Sequence, residues 1–279
     1  MARYEDIALL DQPTLVRRRD APVILWGDDT SGYVNDIIHV PTQQLVMVQI
    51  CMPPGGSFQM SEVNKPVYDA DACLLVLEGE YTVRLPETGE VRVAKEGEVV
   101  LLYGPEWHFG YNFSNRELRV LEAIAPLSDT EAVKELQPPS QLLGVDPVAI
   151  KNFPATRGDG SERLQIVSRT SALNTVIGER NPVLLRVLAS GSRVSSATFD
   201  LIAGQRTETF CFKGDTALYV VGGRIHVRTP GVGGWDEAET DDAFFLPGGT
   251  PWEVFNHGGG PATVYFAYSG NLGDELAGD

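Results

Sequence analysis

The sequence predicts an all-β protein made of two copies of one barrel or sandwich. Three observations lead there. Short β-rich runs recur about every ten residues between turn residues, and glycine (29) and proline (18) supply the turns. Residues 74–123 align with 218–267 without a gap. Between them lies a stretch of different texture.

In the first half "LVMVQICM", "ACLLVLEGEYTVRL", "EVRV", "GEVVLLY" and "LRVLEAIA" read as strands. In the second half "SSATFDLI", "ALYVVGGRIHVRT", "AFFLPGG" and "ATVYFAYS" repeat the rhythm. At an offset of 144, Leu74 meets Leu218, Val76 meets Val220, Gly79 meets Gly223 and Arg84 meets Arg228. Pro86 meets Pro230, Gly104 meets Gly248 and Asn112 meets Asn256. Apolar matches arise by chance, but Gly, Arg, Pro and Asn together mark a duplication. The predicted units are residues 45–126 and 183–270. Residues 127–182 link them, and Ser128 with Glu131 opens a short helix stopped by Pro138 and Pro139. Residues 1–44 read as irregular chain that covers a sheet edge or a partner subunit, and 271–279 as a tail.

The 279 residues carry a formal net charge of −16. Such a surface repels phosphate backbones and anionic membranes, so neither nucleic acid nor membrane is expected as a partner. The three cysteines, Cys51, Cys73 and Cys211, lie in apolar runs without a CxxC and read as buried thiols. No apolar run approaches the length of a membrane span and no signal-peptide core is visible, so a cytoplasmic protein is expected.

The duplicated pattern resembles the cupin superfamily, and bicupins in particular. Cupin motifs run G-x5-H-x-H-x3,4-E-x6-G and G-x5-P-x-G-x2-H-x3-N. The resemblance implies small jelly-roll barrels, here two in tandem joined by a short helix and loops. In complete motifs three histidines and a glutamate bind Fe, Mn, Ni, Cu or Zn inside the barrel. The H-x-H alternation puts both imidazoles on one strand face.

The second repeat keeps the first motif's spacing from Gly204 to Gly223 but none of its ligands. Phe210, Phe212, Thr216 and Trp252 stand at the ligand positions, and Asp241 stands where a glycine is expected. Rings of this kind fill a barrel or line an apolar pocket. In the first repeat, counting from Pro54, the ligand positions become Met60, Glu62, Ala72 and His108, with Gly97 and Asn112 framing the downstream motif. About six extra residues separate Glu62 from Ala72.

His108 is thus expected to point into the first barrel. With Glu62 it forms either a proton-transfer pair or, with a third donor, a metal site. Met60, Tyr68, Tyr103, Trp107 and Asn112 are the candidate substrate contacts. Alternation from His108 puts Gly110 and Asn112 on its own face, and Trp107, Phe109 and Tyr111 on the other. Asn112 also fits a turn-forming role, because Asn256 matches it in a repeat without ligands.

Three functions follow. The first is an enzyme of isomerase, cyclase or lyase type, acting by acid–base chemistry on a small organic, aromatic or apolar substrate with little or no metal. The second is a mononuclear metal-dependent dioxygenase-type cupin. The third is a ligand-binding or scaffold bicupin without catalysis. A homodimer is compatible with each.

Overall fold

The computed structural model describes residues 7–59, 61, 70–85, 89–104, 108–125, 164–231 and 233–277, and the backbone of 67, 68, 106 and 107. Two antiparallel barrels are seen, each a seven-stranded sheet facing a four-stranded one. The large sheet of the first runs, in spatial order, Leu164–Val167, Val99–Leu102, Asp71–Glu78, Leu118–Ala125, Val46–Met52, Gly32–Pro41, Val23–Asp28. Ser57–Phe58, Phe109–Tyr111, Glu80–Arg84 and Val91–Lys95 face it. The second barrel repeats the plan. Its large sheet runs Thr14–Val16, Ala243–Leu246, Thr216–Gly222, Ala262–Tyr268, Ser195–Leu201, Val183–Ser190, Leu173–Ile177. Phe210–Cys211, Pro251–Phe255, Arg224–Arg228 and Asp236–Glu239 close it. The predicted all-β, twice-repeated jelly roll is what the chain forms.

Strand alternation builds three large cores and one small one. On Leu118–Ala125, residues Leu118, Val120 and Ile124 enter the first barrel, while Leu121, Ala123 and Ala125 turn to the second. The large sheets pack back to back through Met47, Leu75, Leu101, Tyr219, Phe245 and Tyr265. One polar cluster crosses this seam. Arg119 Nη2 donates to Asp241 Oδ1 at 2.6 Å, and the Tyr219 hydroxyl donates to the same oxygen at 2.7 Å. Asp241 has φ +73°, the one positive φ of a non-glycine among the described residues, and its counterpart is Gly97 at +80°. The expected glycine was exchanged for a side chain that ties the barrels together.

Two domain boundaries need correction. Residues 1–44 are not irregular throughout, because Val23–Asp28 and Gly32–Pro41 extend the first barrel's large sheet. Asp28, Asp29 and Asp36 interrupt the apolar pattern there, yet pairing with Val46–Met52 imposes strand. Within 127–182, Leu164–Val167 pairs with Val99–Leu102 of the first barrel, and Leu173–Ile177 joins the second. The helix expected after Ser128 lies outside the described residues.

The edge coverings are exchanged. Thr14–Val16, which precedes the first barrel, pairs with Ala243–Leu246 of the second. Leu164–Val167, which precedes the second, pairs with Val99–Leu102 of the first. Both covered strands are the same strand of the repeat, and each edge is shielded by the arm that leads into the other barrel.

Candidate functional site

The second barrel shows what the repeat looks like when filled. Phe210 and Phe212 pack at 5.8 Å, and Trp252 lies 5.2 Å and 5.7 Å from them. Phe266 lies 5.5 Å from Phe212. The cavity left among Leu185, Phe199, Trp252, Phe266 and their neighbours is about 10 Å³. That is at the limit for a single water. Thr216 is buried on the strand at the edge of this cluster. Phe212, Thr216 and Trp252 are therefore buried, and the half-buried Phe210 packs against the same cluster.

The sheet registers carry each lining position into the first barrel. Phe266 pairs with Leu218 and Ala197, and Glu122 pairs with the matching Leu74 and Val48. Val254 pairs with Val227 as Gly110 does with Val83, so Trp252 corresponds to His108. Leu185 pairs with Phe199 as Asp36 does with Ile50. Three apolar residues around one void are thus replaced by Asp36, His108 and Glu122.

Each of these groups is buried: Asp36, His108 and Glu122 are 6%, 6% and 9% exposed. His108 stands edge-on to Phe58 at 5.4 Å, and Phe58 edge-on to Trp26 at 6.0 Å. Gly110 makes this possible, since a Cβ there would collide with the rings of Phe58 and Tyr81. His108 Nε2 has no hydrogen-bond partner among the described residues. Burial holds its pKa down at about 4, so the ring is neutral. Burial pushes the Glu122 carboxyl up to about 8, and the charge of Asp36 adds to the rise. The Tyr81 phenol is also raised well above its usual value, first by burial and then by Glu122.

The other expected residues divide. Met60 and Glu62 lie outside the described residues, and so do the side chains of Tyr68 and Trp107. Their backbone strands, Val67–Tyr68 and Glu106–Trp107, pair with each other in a separate ribbon. The motif count also slips. Gly55 (φ +70°), not Pro54, is the counterpart of Gly204 (φ +79°). Gly56 accepts from the Asn112 amide and Gln205 from Asn256 in the same way. The upstream offset is therefore 149, five more than downstream, and the two histidine positions fall on Ser61 and Val63. A slip of one residue exchanges the faces of a strand. Ser61 Oγ donates to Asp28 Oδ2 at 2.6 Å.

Two contacts are corrected. Tyr103 packs against the core between the barrels, on the face opposite His108. Asn112 is fully buried and its amide group is used: Nδ2 donates to the carbonyls of Met52, Pro53 and Arg116, and Oδ1 accepts from Ser114. Asn256 does the same with Leu201, Gly260 and Gly258. Asn112 is a turn clamp, and none of its hydrogen bonds goes to Asp36 or Glu122.

No protein-family model and no curated protein matches the chain. Solved structures do. Oxalate decarboxylase from Lactobacillus farciminis, in complex with formate, superposes with a TM-score of 0.63 at 12% identity, over 98% of this chain and 91% of its own. AerE from Microcystis aeruginosa gives 0.59 at 6% identity, over 89% and 97%. The oxalate decarboxylase of Bacillus subtilis, an enzyme with Mn(II) centres, gives 0.63 at 13% identity, over 94% and 78%.

The fold is that of a bicupin. At such identities the likeness shows the fold alone. In this chain the four positions that match the metal ligands of complete cupin motifs in the first barrel read Ser61, Val63, Ala72 and His108. One imidazole and one hydroxyl already bonded to Asp28 are a poor donor set for a first-row cation. Among the described residues no three His, Cys, Asp or Glu side chains come together as a metal site. Sequence reasoning missed Glu122 and Asp36, each a lone acid in an apolar strand. The offset of 144 that revealed the duplication would have found Glu122 by setting it against Phe266.

Proposed function

We propose that the chain is a small-molecule enzyme whose first barrel transfers protons, with His108 as base, Glu122 as acid and little or no dependence on metal. The observation that supports this best is the exchange of Leu185, Trp252 and Phe266, around one void, for Asp36, His108 and Glu122. Environments that push two titratable groups in opposite directions mark an acid and a base. The neutral imidazole takes a proton from the substrate and becomes imidazolium. The protonated Glu122 gives one back and becomes carboxylate. Each charge that appears in the apolar barrel therefore arises together with its opposite, which lowers the cost of both. The Tyr81 hydroxyl, unpartnered among the described residues, is a donor for a developing enolate. Isomerisation, cyclisation and elimination belong to this chemistry.

The test needs no prior substrate. A panel of small carbonyl compounds is incubated with the protein in D2O, and deuterium at carbon is read by mass spectrometry. Exchange in the wild type should fall about 10²–10⁴-fold in Glu122→Gln and in His108→Ala. Turnover unchanged in His108→Ala removes the assignment. A near-stoichiometric transition metal in untagged protein, lost in His108→Ala, moves the assignment to a metal-dependent dioxygenase. Binding without turnover moves it to a ligand-binding bicupin.

A further inference from the structure

We infer that the first barrel selects by charge, taking uncharged or cationic organic molecules and excluding carboxylates. The inference rests on the reading of this barrel as the binding site and names the class of molecule that enters it.

Recognition of a buried carboxylate calls for a guanidinium, an ammonium or a metal to replace lost water. Among the described residues no Lys or Arg side chain is buried. Arg92 lies on the inner face of the edge strand Val91–Lys95, but it is 38% exposed and held by Glu90 at 2.7 Å. His108 offers no cation, because a charged imidazole is disfavoured in its apolar surroundings. The barrel already holds the acid Asp36, whose charge adds to the burial that keeps the Glu122 carboxyl protonated. An arriving anion would meet that same charge in a medium that screens poorly. Trp26 and Phe58 meanwhile present aromatic surface beside His108, which suits a flat neutral body or a cation. The oxalate decarboxylase relatives in fold are named for a small dianion and one holds formate. The described interior of this chain offers no buried Lys or Arg for such an anion.

The experiment uses probes matched in shape and different in charge, titrated into the intact chain by calorimetry at pH 7. Benzamide and benzylammonium are set against benzoate, and oxamide against oxalate. The expected result is binding of the amide or ammonium at least about tenfold tighter than the matched carboxylate, lost in His108→Ala. Where His108→Ala does not fold, His108→Phe serves, since the sister barrel carries a ring at that position. Benzoate or oxalate binding as tightly as its partner, and lost in the same variant, overturns the charge selection and leaves the site in place. Binding of every probe unaffected by His108 and Glu122→Gln variants overturns the site and the inference together.

Discussion

Glu122 and Phe266 occupy the same position in the two barrels, a buried acid in one and a packed ring in the other. The second barrel has closed around its ring. The first keeps a carboxyl that burial holds protonated near neutral pH.

That carboxyl sets a pH dependence with a definite sign. Its folded pKa of about 8 exceeds its ordinary 4.5, so the folded state binds more proton between these values. Stability is favoured below 4.5 and lost as pH rises through 8, by up to about 1.4 kcal/mol per unit. His39 and His108 act oppositely: burial lowers both to about 4, so they add stability as pH rises from 4 to 6.5. From 6.5 to 8 the Glu122 slope stands clear of these histidines. Denaturant melts of wild type should weaken across that window, and Glu122→Gln should flatten the decline.

His108→Phe should fold as well as wild type, within about 1 kcal/mol. It removes a buried nitrogen with no partner among the described residues and supplies a ring like that of Trp252. Thermal melting would show stability kept while proton exchange on substrate is lost. A collapse in melting temperature would make His108 a packing residue first.

Asp241 holds a left-handed backbone for the sake of Arg119 and Tyr219. Asp241→Ala keeps the strained φ and loses both bonds, at a cost of about 2–3 kcal/mol. Asp241→Gly loses the bonds but relieves the backbone, and should cost about 1 kcal/mol less. Equal costs in urea unfolding would show that the backbone term is absent.

The exchanged arms predict a truncation effect. Removing residues 1–16 uncovers Ala243–Leu246 in the second barrel, although that arm precedes the first. Amide exchange should speed up on Ala243–Leu246, with self-association visible by light scattering. Faster exchange confined to the first barrel would contradict the exchanged pairing.

Much of this architecture was readable in the sequence. The turn clamps Asn112 and Asn256 and the filled aromatic barrel follow from the repeat and its motif. The exchanged arms did not, because three residues such as Thr14–Val16 carry no signal for which edge they cover. The slip from Pro54 to Gly55 arose because two adjacent turn residues fit the same count, and only φ and hydrogen bonding separate them. Asp36 and Glu122 were passed over because the motif directs the eye to its own positions. Both acids lie elsewhere on the same inner face.

The most direct test is a carboxyl-carbon NMR titration of Glu122, assigned by its loss in Glu122→Gln, with the His108 ring nitrogens followed in the same samples. The account predicts a carboxyl that stays protonated to about pH 8 and an imidazole that stays neutral down to about pH 4. A Glu122 titrating near 4.5 beside a His108 near 6.5 would mean an open, solvated barrel without a poised acid and base, and would contradict the account.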